Sequence, residues 1–110
     1  VVSAKMRPGV ELGLEMTNIR QYFDTIVSVD DVTQPKPHPE PVLKAMHELG
    51  GQKESSLMIG DNSHDIESGN NAGVKTVGVK WSAKGEDFLK QFEPTYMIDE
   101  MHDLLKIVGV

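Results

Sequence analysis

The sequence predicts an α/β fold: a mostly parallel sheet covered by helices on both faces, in a three-layer, Rossmann-like arrangement. Two observations carry this. Apolar runs of strand length recur at residues 1–3, 25–29, 57–59, 74–79 and 96–98, and stretches of helical periodicity fill the gaps. Strands that alternate with helices pair in parallel, because each helix is the crossover that returns the chain to the same end of the sheet. The runs at 25–29 and 74–79 are also rich in Val and Ile, as strands covered on both faces are.

In chain order, Val1–Ser3 reads as the second half of a strand. It lacks an initiating Met, which is how a piece of a longer protein begins. Val10, Leu14 and Phe23 mark a helical region before the second strand. Asp30 and Asp31 end that strand and open a loop to the proline-rich stretch QPKPHPEP, residues 34–41. Pro39 and Pro41 fit the first turn of the next helix, where backbone donors have no intrahelical partner. Val42, Leu43, Met46 and Leu49 share a face of that helix, and Gly50–Gly51 stops it with a left-handed cap. The third strand, Leu57–Ile59, runs into Gly60 and the acidic stretch DNSHD, whose Asn62 to Asp65 spacing resembles a capping arrangement for the helix containing Ile66. Phe88, Leu89 and Phe92 suggest a short helix between the last two strands. Asp99 is placed to cap a final helix carrying Met101, Leu104, Leu105 and Val108.

Composition narrows the function. The 110 residues suit one domain, and 38 % hydrophobic with 25 % charged residues is a globular balance. A formal net charge of −6 opposes binding to a phosphate backbone, so no nucleic-acid partner is expected. The chain has no cysteine, which excludes disulfides and thiolate metal sites. No signal peptide or long apolar segment is evident, which predicts a cytoplasmic protein with no membrane partner.

Three places can carry chemistry. Ligands of open α/β sheets sit beyond the carboxyl ends of the strands, where Asp61 stands. The amides at the start of the following helix favour an anion, and the carboxylates of Asp61 and Asp65 favour a hard cation such as Mg²⁺. Capping alone is an equally ordinary role for these acids. Lys36, between Pro35 and Pro37, is presented from a stiffened loop and can neutralise a phosphate, although lysines in such turns are commonly just solvated. The Ser3 hydroxyl and the amides after it, beginning at Ala4, can bind a phosphate oxygen, but a turn role is the commoner one for a strand-end serine. His38, His47, His64 and His102 have no metal-ligand spacing. His64 lies inside the acidic loop, and Trp81 sits just past a strand end.

Ser3, Lys36 and Gly60-Asp61-x-x-x-Asp65 occur in the order of motifs II, III and IV of the haloacid dehalogenase (HAD) superfamily. The resemblance runs along essentially the whole chain, through AKMR, NIRQYFD, SVDDV, KPHPEPVLKA, GDNSHDI, GVKTVGVKWSAKG and FEPTYMIDEMHDLL. It looks closest to the branch of phosphoglycolate phosphatases and PpaX-type pyrophosphatases. The resemblance implies that residues 1–110 are the C-terminal portion of a HAD-like hydrolase core. It also implies Mg²⁺-dependent hydrolysis of pyrophosphate or a small phosphorylated substrate through an aspartyl-phosphate. In that scheme Ser3 and Ala4 hold phosphate oxygens, and Lys36 offsets charge on nucleophile and phosphate. Asp61 ligates Mg²⁺, and Asp65 orients the metal's water shell.

The chain departs from the family pattern in one respect: it contains no Asp-x-Asp, the motif that supplies the nucleophile and the general acid. The motif I strand, central in the family's sheet, and the substrate-selecting cap are likewise not found. The expectations are an incomplete sheet, self-association through exposed edges, weak Mg²⁺ binding and no activity for the chain alone. Two other readings remain: a non-catalytic phosphate-binding scaffold module, and a receiver-type signalling domain phosphorylated on Asp30 or Asp31.

Overall fold

In the computed structural model, which describes residues 1–3 and 5–109, three strands form a parallel sheet in the order β1 (Leu57–Gly60), β2 (Lys75–Val79), β3 (Tyr96–Ile98). Leu57 pairs with Lys75 and Gly60 with Gly78, while Val77 pairs with Tyr96 and Val79 with Ile98. The central strand is buried at four of its five positions, so its apolar residues are covered from both sides. Its buried Thr76 is satisfied locally. Its N–H donates to Thr95 Oγ1 at 3.0 Å, and its hydroxyl donates to Asn70 Oδ1 at 2.9 Å.

Among the described residues five α-helices accompany the sheet: α1 (Arg7–Met16), α2 (Glu40–Leu49), α3 (Ser63–Ala72), α4 (Glu86–Lys90) and α5 (Leu104–Ile107). Helix α3 lies closest to the strands because Gly69 lets it. A Cβ there would sit 2.5 Å from Thr76 Cγ2 and 2.8 Å from Met58 Cβ. Its neighbours complete the core on two fronts. Val42, Met58, Ala72 and Val74 pack together under Val2 and Met46, and Val77, Val79 and Ile98 pack under Leu104 and Ile107.

The first two expected strands are reduced to an isolated parallel bridge between Val2 and Val27. Two backbone hydrogen bonds hold it, Ser3 N–H to Val27 O at 2.9 Å and Val27 N–H to Val1 O at 2.8 Å. Neither segment joins the three-stranded sheet. Residue 29, expected in a strand, begins a 3₁₀ turn over Val29–Asp31 instead. Local side-chain bonds from Asp31 compete with the ladder there, as short polar side chains at strand ends do.

Helix α2 starts on Pro39 and stops at Gly50 (φ +67°), as expected. Its buried face, however, runs through Pro41, Val42 and Ala45, leaving Leu43 and Leu49 exposed. Leu43 is one position, about 100°, round the helix from Val42 and so faces away from the core. At the C-terminus a 3₁₀ turn (Met101–Asp103) leads into α5, and only Leu104 and Ile107 of that segment pack on the sheet. Asp103 occupies the N-cap position of α5, while its carboxylate accepts the N–H groups of Asp99 and Glu100 at the start of the 3₁₀ turn. Asp99, the expected cap, instead points its carboxylate to Lys80 at 3.2 Å.

Candidate functional site

At the carboxyl end of β1 the chain turns sharply into α3. Asn62 is the N-cap, its Oδ1 accepting the His64 N–H at 3.3 Å, and Asp65 Oδ2 accepts the Asn62 N–H at 3.2 Å. This capping box folds the Asp65 carboxylate back over Gly60, whose missing side chain makes the space: a Cβ at Gly60 would collide with that carboxylate. The Asp65 arm of the acidic turn is thereby fixed. Asp65 is buried and turned inward, whereas Asp61 is exposed.

Lys36 reaches the same place from the proline-rich loop. Its Nζ donates to Asp65 Oδ1 at 2.5 Å and to the Val2 carbonyl at 3.2 Å, with its side chain only 12 % exposed. The loop is shaped from its far side by Glu40, whose carboxylate accepts the N–H groups of Thr33 and Gln34. The Thr33 bond is the main cause that holds the Glu40 carboxyl below its ordinary pKa. His38 Nδ1 accepts the Glu40 N–H, which makes this histidine part of the helix start.

Lys36, Asp61, Asn62, His64 and Asp65 line one cavity of about 180 Å³. Of the residues singled out from the sequence, the fold thus unites Lys36, Asp61 and Asp65, and adds His64. Ser3 is not among the lining residues. Its Oγ accepts the Lys5 N–H at 3.1 Å, the turn role, though the adjoining Val2 carbonyl borders the lysine. Ala4 lies outside the described residues. Among the described residues no hydrogen bond or ion pair engages the Asp61 carboxylate, so it is free to bind a ligand. A hard divalent cation fits Asp61 as one oxygen donor, whereas Asp65 already holds Lys36 and the Asn62 N–H. Among the described residues no three His, Asp or Glu side chains converge on a metal position.

Sequence reading missed the residues that brace this cavity. Ser82, in the loop after β2, donates its hydroxyl to the Asp61 carbonyl at 2.5 Å, and its Oγ accepts the Lys84 N–H. Ser68 and Asn71 of α3 bond the backbone of the lysine loop. No sequence motif flags these contacts, which join positions 21 to 34 residues apart.

The acidic pair after the second strand does something else. Asp31 accepts from the N–H and hydroxyl of Ser28 and from Arg7 Nη2, while Asp30 accepts the Arg7 N–H. The Ser28 bonds, seconded by Arg7, lower the Asp31 carboxyl from 3.8 to about 2. Asp31 is thus a tethered structural acid with its oxygen already engaged, which disfavours it as a phosphate acceptor.

The family model for haloacid dehalogenase-like hydrolases matches residues 1–79. Pyrophosphatase PpaX of Oceanobacillus iheyensis is 52 % identical over 109 residues, 99 % of this chain and 51 % of that protein. Pyrophosphatase PpaX of Bacillus velezensis is 49 % identical over all 110 residues and 51 % of its own length. This chain therefore spans about half the length of the curated relatives it matches. Among solved structures, a predicted phosphoglycolate phosphatase from Haemophilus somnus superposes with a TM-score of 0.86 at 26 % identity, over 97 % of this chain and 48 % of that one. A HAD-superfamily hydrolase of subfamily IA from Geobacter sulfurreducens superposes at 0.80 with 25 % identity, over 96 % and 45 %. The family match takes in both the lysine loop and the acidic turn that face each other across the cavity, and the chain belongs to the haloacid dehalogenase-like hydrolases.

Proposed function

We propose that this chain is the C-terminal part of the core of a Mg²⁺-dependent phosphohydrolase, acting on pyrophosphate or a small phosphorylated compound. The observation that carries the reading is the convergence of Lys36, Asp61 and Asp65 on one cavity at the carboxyl end of β1. Relatives named pyrophosphatase at about 50 % identity favour a diphosphate substrate.

Phosphoryl transfer depends on placing the phosphate and on offsetting charge that spreads over its equatorial oxygens. Lys36 supplies a fixed positive charge whose position is set by Asp65 and the Val2 carbonyl. Asp61 would hold Mg²⁺, which when bound neutralises charge on the phosphate. Asp65 keeps the lysine aimed and would orient water at that site. Ser3 and Ala4 would receive a phosphate oxygen, since the Ser3 hydroxyl accepts from Lys5 and keeps its own proton to donate. The attacking aspartate is assigned to a part of the protein outside this chain, since Asp-x-Asp is not in the sequence. The aspartyl-phosphate forms as the bond from phosphorus to the leaving group breaks, and water then releases phosphate. The space beside β1 supports that division. A mainly apolar cavity of about 210 Å³, lined by Val1, Val2, Val42, Ala45, Leu57 and Met58 among others, separates β1 from the Val2–Val27 bridge. A further strand entering there would pair with the bare edge of β1. Without it, the chain alone is inactive and its open edge favours self-association.

Complementation tests this. The 110 residues are co-expressed with the N-terminal half of the Oceanobacillus iheyensis pyrophosphatase, and phosphate release from pyrophosphate is followed with Mg²⁺. Turnover is expected only from the combination, falling at least ~100-fold in Lys36→Ala or Asp61→Asn, as loss of a transition-state charge contact requires. Silence from the combination, when the relative's own two halves complement each other, would leave a phosphate-binding scaffold module as the better reading.

A further inference from the structure

Helix α3 does more than start at the acidic turn. Asp65, Ser68 and Asn71 recur at three-residue spacing, so they fall along one side of the helix. All three bond the lysine loop: Asp65 Oδ1 takes Lys36 Nζ at 2.5 Å, Ser68 Oγ donates to the His38 carbonyl at 2.7 Å, and Asn71 Nδ2 donates to the Pro37 carbonyl at 3.3 Å. Ser68 is 0 % exposed, and its hydroxyl spends its proton on a loop backbone rather than on its own helix. A serine in a helix interior ordinarily lowers helix stability by competing for backbone groups, so a fully buried one that bonds outward has a tertiary task.

We infer that Ser68 and Asn71 are positioning residues for Lys36. They pin the two residues that follow it, so the ammonium is delivered to Asp65 and the cavity at a fixed height. The prolines at 35 and 37 stiffen the loop but cannot say where it lies, because they offer no N–H to anchor it. The loop's own carbonyls do the anchoring, and α3 supplies the donors. The same helix that carries the carboxylate of the site therefore sets the distance of its ammonium group. The inference concerns where Lys36 is held; only its consequence for turnover rests on the function proposed above.

Amine labelling of the 110-residue chain tests it directly. Brief acetic anhydride treatment followed by peptide mass spectrometry gives the acylation rate of each lysine. Lys80, half-buried and paired with Asp99 and Glu86, serves as the fold control. Losing one neutral hydrogen bond loosens a segment by roughly fivefold in its opening equilibrium. Ser68→Ala should therefore raise the Lys36 rate about fivefold and Asn71→Ala, at an exposed site, about twofold, with Lys80 unchanged. Should Ser68→Ala fail to fold, Asn71→Ala decides by the same criterion. An unaltered Lys36 rate, or a rise that Lys80 shares, would overturn the inference. In the complemented enzyme a lower kcat with KM retained should accompany the faster labelling. Faster labelling with unchanged kcat would keep the positioning role and remove Lys36 from the chemistry.

Discussion

Residues 57–98 and residues 1–31 make an instructive contrast. The first region is tied by a three-stranded ladder and by buried apolar side chains, with Ile66, Val77 and Leu89 at 0 % exposure. The second has, among its described residues, one isolated bridge, three buried aliphatic residues of which only Val27 is at 0 % exposure, and a polar knot of Arg7, Ser28, Asp30 and Asp31. Its helix α1 buries only Val10 and leaves Leu12 and Met16 in solvent. Apolar burial is non-directional and sums with area, whereas a polar knot holds only while each donor finds its acceptor. The site lies where the regions meet: Asp61 and Asp65 belong to the first, and the Val2 carbonyl that receives Lys36 belongs to the second.

The contrast can be broken by truncation. Ile66→Ala should cost about 2–5 kcal/mol, because a wholly enclosed side chain leaves a cavity between helix and sheet. Val27→Ala removes two methyl groups from a side chain that is also 0 % exposed and should cost about 1.5 kcal/mol, the transfer part alone, because segments tied by a single bridge can close over the space left. Urea unfolding measures both. Equal losses would show that residues 1–31 are as tightly integrated as the sheet. Amide exchange sharpens the point, since the amides of β2 should outlast those of Val27 and Ser3.

Acid probes the polar knot alone. The Asp31 carboxyl is depressed in the folded chain, to about 2 from 3.8. A depressed carboxyl stabilises the fold above its unfolded value, so this contribution is full above about pH 4, fades as pH falls, and is gone below about 2. Asp31→Asn should flatten the urea midpoint between pH 5 and pH 2.5 relative to the parent chain. A parallel pH dependence in the two proteins would deny the knot its role. The smallest effect belongs to the surface: Lys90→Ala breaks the Glu86 pair at 2.7 Å and should leave the urea midpoint essentially unchanged, because an exposed pair is screened by solvent.

Much of this is legible in the order of the amino acids. The acidic turn announced itself because a strand, Gly60 and a capping spacing are local patterns, and local backbone preferences decide them. The three later strands fell within a residue or two of their apolar runs, and Gly50 ended its helix where it had to. What failed depends on contacts outside the local pattern. Residues 1–3 and 25–29 have strand-like composition, but a strand is completed by its neighbour, and these two segments find only each other. Leu43 looked like core because helical spacing names a face without saying which way it turns.

The sequence by itself determined the alternation of elements, the caps, and the presence of a lysine, a serine and two acids suited to a phosphate. The tertiary structure decided which of them meet. It bent Lys36 across 29 residues of chain to Asp65, left Asp61 free, kept the Ser3 hydroxyl in a turn, and made Ser68 and Asn71 the supports of a loop they are not next to in sequence. Those choices lie beyond sequence pattern because they depend on the distance between α3 and the lysine loop. That distance is set by packing contacts such as Gly69 against Thr76, and no residue encodes it alone.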